Sequence, residues 1–260
     1  MDQMVLVRHG SVLGKGNILK SELFHCRTQS GFCDAIPSCG LLERYLLERG
    51  TPNFRRLIVT KAFIVSQPTV PGIKRILRSV VYFIDSYPGS GGGVNSQQAG
   101  KKHRRAVWIN LREEPVVYIK DRPFLLRDYS HPFLVFDEFN QGMTPERCDE
   151  LETRLREDVL NEAQHNSGKV VLHHESSDGQ TNAKQEYIEA SDVKTSRQVF
   201  DDLARGGFNV QYYRMPLHVE QVVPLWLGLC KVTGLASLDA LDRLLREIEN
   251  NVEIIFNCQM

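Results

Sequence analysis

Short apolar runs alternate with helical stretches from Ala106 to the end of this chain. The runs AVWIN, KVVLHH, FNVQYY and VEIIF have the length and composition of strands that are buried on both faces. Strands that alternate with helices favour a largely parallel sheet. We therefore predict an α/β fold with a mainly parallel central sheet flanked by helices. Four residues are expected on adjacent, mostly parallel strands: Trp108, Val170, Val210 and Ile254.

Four helices are predicted from capping signals and apolar spacing. One begins at Pro71-Gly72. The next has Thr144 as its cap and Pro145 at its first helical position, and a third starts with the capping box of Thr195 and Gln198. The apolar stripe of the second helix comprises Cys148, Leu151, Leu155, Val159 and Ala163. The stripe of the last helix comprises Leu238, Leu241, Leu245 and Ile248.

The sequence also predicts how the chain is divided. Residues 1–50 are expected to form an N-terminal extension with a β-like run from Met4 to Val7, and residues 51–260 the main domain. Residues 87–104 are rich in glycine and serine, which is typical of a flexible and dispensable loop. Residues 222–237 are apolar but weakly periodic, and two interpretations stay open: a retained non-coding insertion or an extra structural layer.

Composition excludes several function classes. The 32 basic and 32 acidic side chains balance, so no global field favours nucleic acid or an anionic membrane. No stretch reaches the length of about 18 apolar residues that a membrane helix needs. Six cysteines without a signal peptide indicate reduced thiols, and we expect a cytoplasmic protein. Cys26, Cys33 and Cys39 lack the paired spacing of zinc ligands, so no metal site is predicted. No cofactor is predicted either.

The predicted last strand runs directly into Cys258 in the sequence EIIFNCQM. A cysteine-dependent phosphatase places its nucleophile at such a strand end. A glycine-rich turn then follows, whose N–H groups hold the phosphate, and after it an arginine. Those parts are not present up to Met260, so we expect the phosphate-binding loop to be cut. A strand-end cysteine is also compatible with an ordinary core residue.

Seven segments together resemble one repeat of the paladin-like proteins. They are VRHGSVLGKGNILKSELF, GTPNFR, SQPTVPGIKRIL, VWINLREEPVVYIKDRPFLLRD, RLREDVLNEA, SDVKTSRQVFDDLARGGFNVQYYRMP and EIIFNCQM. These proteins are related to the cysteine phytases and carry tandem phosphatase-like repeats. The resemblance implies a protein tyrosine phosphatase-like fold, incomplete at the C-terminus, with Cys258 as nucleophile. It also implies a phosphorylated small molecule or phosphoprotein as partner, and further phosphatase-like repeats as a second class of partner.

The general acid departs from the family pattern. Where the family has a segment similar to PITDE after a strand-end proline, this chain reads Pro216-Leu217-His218-Val219-Glu220. Val219 therefore stands at the position of the expected aspartate. His218 and Glu220 are alternative proton donors, and a catalytically silent position is the competing interpretation.

The segment NLREEP carries three charged residues, Arg112, Glu113 and Glu114. They order the rim of the pocket, form a surface ion-pair set or have a structural role around a tight strand end. We favour the structural role.

Three other patterns suggest chemistry but fail on context. VLVRHGSV is similar to the start of histidine phosphatases, but a second catalytic histidine is not evident downstream. His173 and His174 are adjacent on a predicted strand and therefore point to opposite faces, which disfavours a shared metal. Cys148 and Arg154 have the phosphatase spacing but lie inside a charged helix that has no glycine, so we reject them as a catalytic pair.

Two functions remain. One is a cysteine phosphatase acting on phosphoinositols, inositol hexakisphosphate or phosphoproteins, inactive in this form because the loop after Cys258 is missing. The other is a non-catalytic, phosphatase-like scaffold or phospho-ligand-binding module.

Overall fold

The computed structural model describes residues 2–21, 50–56, 62–82, 105–136, 139, 142–176, 180–217, 233–248 and 252–258. The α-helices within these ranges are α1 (Asp2–Leu6), α2 (Val70–Tyr82), α3 (Pro145–His165), α4 (Ser196–Arg205) and α5 (Thr233–Glu247). The strands are β1 (Asn17–Ser21), β2 (Arg55–Arg56), β3 (Ala62–Val65), β4 (Arg105–Asn110), β5 (Val116–Ile119), β6 (Arg122–Asp128), β7 (Lys169–Glu175), β8 (Thr181–Tyr187), β9 (Val193–Thr195), β10 (Val210–Arg214) and β11 (Val252–Asn257).

The first sheet has the strand order β10-β4-β11-β3-β2. Its first four strands are mutually parallel, and only β2 is antiparallel to its neighbour. Trp108 pairs with Tyr212 on one side and with Ile255 on the other. The predicted parallel arrangement of the strands that contain Trp108, Val210 and Ile254 is confirmed.

Helices cover both faces of the first sheet. On one face, side chains of α2 and α4 pack around Trp108 and Ile255. On the other face, Leu241, Leu245 and Ile248 of the last helical segment pack against Val107 and its neighbours. Since both faces are covered by apolar side chains, the strands read as continuous apolar runs in the sequence.

The placement of Val170 in the same sheet is wrong. Val170 lies on β7 in a second sheet, of order β8-β7-β1-β6-β5-β9, in which only β1 and β7 are parallel to each other. The polar segment after KVVLHH has no strand-like apolar pattern, but it forms strand β8 and pairs antiparallel with β7 along its whole length. An apolar run indicates burial but does not say which strand will be its partner.

The helix signals are largely confirmed. Thr144 Oγ1 accepts the N–H of Arg147, and the capping box of Thr195 and Gln198 is formed. The five stripe residues of α3 are all buried. The β-like run at Met4–Val7 is wrong, because α1 occupies most of it. Short apolar runs do not distinguish a strand from a helix.

Only some of the predicted segment boundaries fall within the described residues. Strand β1, which belongs to the predicted extension 1–50, lies between β6 and β7 in the second sheet. The division at residue 50 stays a prediction. The predicted loop 87–104 lies outside the described residues, as does the predicted insert 222–237 up to residue 232. Its remaining residues begin α5.

Candidate active site

Four parallel strands of the first sheet end in one row. Arg214, Asn110, Asn257 and Val65 are paired across β10, β4, β11 and β3. Because the strands are parallel, the segments that follow them emerge at the same edge, where ligands bind in open α/β sheets. Cys258 and Pro216 both follow this row and therefore lie at the same edge of the sheet.

Hydrogen bonds continue for one residue beyond the row. The N–H of Cys258 donates to the carbonyl of Val65 at 3.1 Å, and that of Leu111 donates to the carbonyl of Asn257 at 2.7 Å. The side-chain amide of Asn257 donates to the carbonyl of Ser66 at 2.7 Å. These bonds fix the backbone at Cys258 relative to the segments after β3 and β4.

The thiol of Cys258 is partly buried and lies in a mixed electrostatic environment. Burial raises its pKa, and the positive charges of Arg112 and Arg55 oppose that rise. The balance leaves the pKa above its ordinary value, so the thiol form dominates at neutral pH. A reactive thiolate would need further positive charge or N–H donors at this point.

The charged residues of NLREEP form a buried network at the end of β4. Arg112 Nε donates to Glu114 at 3.0 Å, and Arg127 on β6 also pairs with Glu114. Burial raises the pKa of Glu114, but Arg112 and Arg127 outweigh burial and lower that pKa to about 2. The surface ion-pair interpretation is wrong, since the Arg112 and Glu114 side chains are at most 1% exposed.

A second buried ion pair fixes the backbone of the same segment. Arg214, the last residue of β10, donates to Glu152 of α3 at 2.6 Å. Its other N–H groups donate to the carbonyls of Arg112 at 3.0 Å and Glu114 at 2.8 Å. Glu152 also accepts the backbone N–H groups of Val116 and Ser196. The structural role predicted for NLREEP therefore agrees with its contacts.

Sequence reasoning missed the pair Arg214–Glu152, although a signal was present. Glu152 lies four residues after Cys148 and three before Leu155, which places a carboxylate on the apolar stripe of α3. A charged residue at such a position is rarely buried unless it is paired.

The two proton-donor candidates, His218 and Glu220, lie outside the described residues. The described chain after β10 reaches Leu217, whose N–H donates to the carbonyl of Leu111 at 2.9 Å. This bond brings the segment that leads to His218 beside the segment that leads to Arg112.

Cys148 is unsuited to catalysis, as predicted. It is fully buried in α3, and its thiol donates to the carbonyl of Glu113 at 3.3 Å. Burial raises its pKa to about 11. The thiol is therefore protonated at any physiological pH.

The N-terminal arginine of VLVRHGSV is engaged in structural contacts. Arg8 donates to both oxygens of Glu162 and to the carbonyls of Asn17 and Val171. It borders a cavity of about 540 Å³ between the segment after α1 and the end of α3. A phosphate-binding arginine would need free donors, so these contacts agree with rejecting the histidine-phosphatase interpretation.

The described residues contain no group of three potential metal ligands. His173 is buried against Tyr129, whereas His174 contacts Glu186 at 3.2 Å. Within the same residues, no helix combines the length and apolarity needed to cross a membrane.

Comparisons with known proteins found a matching family model and similar proteins. The family model of PTP-like phytases, described by the words "Inositol hexakisphosphate", matches residues 109–260, more than half of the chain. Paladin from Homo sapiens is 27% identical over 229 residues, covering 81% of this chain and 23% of paladin. The chain thus spans less than a quarter of the length of that relative.

Two solved structures are similar at low identity. The tandemly repeated protein tyrosine phosphatase-like phytase from Mitsuokella multacida is 13% identical, with a TM-score of 0.46, over 76% of this chain and 26% of that one. A PTP-like phytase from Bdellovibrio bacteriovorus is 14% identical, with a TM-score of 0.42, over 83% of this chain and 59% of that one.

Proposed function

The chain belongs to the PTP-like phytase family, and from that premise we propose that Cys258 is the nucleophile of a phosphoric monoester hydrolase repeat. One observation carries the proposal. Cys258 directly follows a parallel strand whose end is hydrogen-bonded to both neighbouring strand ends. That position combines a rigid backbone with a partly accessible side chain, as a nucleophile requires.

The proposed reaction has two steps. The thiolate of Cys258 attacks phosphorus, so that a sulfur–phosphorus bond forms while the bond to the ester oxygen breaks. The leaving oxygen takes up a proton, for which His218 and Glu220 are the proposed donors. Water then hydrolyses the phosphocysteine and releases inorganic phosphate.

The reaction needs an anion cradle next to Cys258. Backbone N–H groups and an arginine in the residues after the nucleophile would lower the pKa of its thiol and stabilise the transition state. Removing one such donor costs about 3–4 kcal/mol of transition-state stabilisation. We therefore propose that a polypeptide of only these 260 residues is catalytically incompetent.

We propose phosphorylated small molecules of the inositol phosphate class as substrates, in line with the description of the matching family. Phosphoproteins are the second proposed class, and further phosphatase-like repeats are proposed as intramolecular partners. Because the mechanism requires a reduced thiol, we propose the cytoplasm as the location.

A non-catalytic phosphatase-like module that binds a phosphorylated ligand is the alternative. It is favoured by Val219, which occupies the position of the expected acid, and by the raised pKa of Cys258. Such a module would keep the site but would not turn its ligand over.

Turnover of a phosphoinositol panel separates the two functions. We would compare the 260-residue polypeptide with one extended through a glycine-rich loop and its arginine, each with and without Cys258→Ser. We expect no turnover by the short form and turnover by the long form that Cys258→Ser abolishes. Ligand binding without turnover in both forms would favour the module, and activity that survives Cys258→Ser would exclude the cysteine mechanism.

A further inference from the structure

We infer that Arg112 is a positioning residue that holds a fixed positive charge beside Cys258 and favours the thiolate form of this side chain. The inference rests on the proposed role of Cys258, which it extends to a residue of a different strand end. It concerns the ionisation of the thiol rather than turnover, and it can be tested on the chain as it stands.

The backbone places Arg112 close to the nucleophile. Asn110 and Asn257 are paired at the ends of the adjacent strands β4 and β11, and the N–H of Leu111 donates to the carbonyl of Asn257. The N–H of Arg112 donates to the side-chain oxygen of Asn110 at 3.1 Å. Arg112 therefore stays at the strand end beside Cys258.

The side chain of Arg112 is held in a rigid, dry environment. It is 0% exposed, and Glu114 binds its guanidinium through Nε and Nη2. Glu114 is also bound by Arg127, so that two guanidinium groups share one carboxylate in this trio. Electrostatic interactions act more strongly in a buried site than in water, since the effective dielectric constant is lower.

The pair Arg214–Glu152 keeps the segment around Arg112 from moving. Arg214 donates to the carbonyls of Arg112 and Glu114, and Glu152 anchors Arg214 to α3. Because these contacts hold the segment in place, the charge of Arg112 does not have to move when the thiolate of Cys258 forms. Charges that are held in place before the reaction stabilise charged species in enzyme sites most effectively.

Two positively charged groups favour the thiolate form of Cys258. They are Arg112 after β4 and Arg55 on the edge strand β2, and both lower the pKa of Cys258, with Arg112 having the larger effect. Burial acts against them and is the largest influence. Arg55 is exposed to solvent, whereas Arg112 is not, so salt would screen Arg55 more strongly.

The test measures how the alkylation rate of Cys258 by iodoacetamide depends on pH, since only the thiolate reacts. Peptide-resolved mass spectrometry separates Cys258 from the other five cysteines, and Cys148 serves as an internal unreactive control. For Arg112→Gln we expect the midpoint of the rate profile to rise by about one pH unit. For Glu114→Gln we expect it to fall, because neutralising Glu114 leaves the charge of Arg112 less compensated.

Opposite shifts are the decisive result, because a purely structural role would move both variants in the same direction. Arg112→Lys keeps the charge and is expected to retain most of the parent midpoint. If circular dichroism shows that Arg112→Gln is unfolded, the midpoints of Glu114→Gln and Arg112→Lys still test the inference. The inference would be overturned if the midpoints of Arg112→Gln and Glu114→Gln shifted in the same direction, or if folded Glu114→Gln kept the parent midpoint. No turnover is measured, so a failed phosphatase assay leaves this test intact.

Discussion

At the scale of single residues, the site depends on buried charges whose partners come from distant parts of the sequence. Glu152 satisfies Arg214 and two backbone N–H groups, while Glu114 satisfies Arg112 and Arg127. Replacing one member of a buried pair leaves the other charge without compensation, which is more harmful than losing an exposed pair.

We expect Glu152→Ala to lower the free energy of unfolding by about 3–5 kcal/mol, because it strands Arg214 in the interior. Glu150→Ala on the same helix is the matched control. Glu150 is exposed and pairs with Arg147 and Arg154, which are themselves exposed, so we expect almost no change. Urea unfolding followed by circular dichroism measures both. Equal losses in the two variants would contradict the account.

The lowered pKa of Glu114 also predicts that the stability of the folded protein depends on pH. Its pKa in the folded protein is about 2, which is below the value in an unfolded chain. Its stabilising contribution is therefore present above the unfolded value and is lost as the pH falls towards 2. We expect the difference in unfolding free energy between the parent and Glu114→Gln to shrink from pH 5 to pH 2. A difference that stays constant would refute the charge interaction.

At the scale of elements, local signals predicted helices better than strand partners. Capping residues and a period of three to four positions are contained in one segment, which is why α3 and α4 could be predicted. Strand β8 could not, because its sequence TNAKQEY is polar and largely accessible, and only its pairing with β7 makes it a strand. Tertiary context decides such segments.

The cap of α4 gives a prediction at this scale. Thr195 Oγ1 accepts the N–H of Gln198, so Thr195→Ala removes that bond, and we expect a loss of about 1 kcal/mol in stability. Thr153→Ala, at an exposed mid-helix position of α3, is the control for deleting a threonine hydroxyl. Thermal unfolding compares them. A smaller loss for Thr195→Ala than for Thr153→Ala would speak against the cap.

At the scale of the whole molecule, the predicted parallel sheet is one of two sheets, and a buried ion network joins them. Arg214 ends a strand of the first sheet and Arg112 follows another, whereas Arg127 belongs to the second sheet and Glu152 to the helix packed against it. The resemblance carried by NLREEPVVYI and EIIFNCQM is confirmed by the family match over residues 109–260. The strand that leads to Cys258 could be predicted from the sequence. The long-range ion pairs could not, because the spacing of residues along the chain does not show which distant residues meet.

The glycine-rich composition of residues 87–104 predicts the first site of limited proteolysis. Residues 106–126 by contrast form the mostly buried strands β4, β5 and β6, apart from their connections. We expect trypsin to cut first within 87–104 and to leave two stable fragments, identified by mass spectrometry. An earliest cut between Ala106 and Arg127 would contradict the domain interpretation.

Detection of a phosphocysteine intermediate on Cys258 tests the proposed mechanism most directly. The polypeptide extended through a glycine-rich loop and its arginine would be mixed with an inositol phosphate, quenched in acid within milliseconds and digested for mass spectrometry. We expect one phosphoryl group on the peptide that contains Cys258, and none in Cys258→Ser. Turnover without that modification, or a phosphoryl group on another residue, would contradict the proposed mechanism.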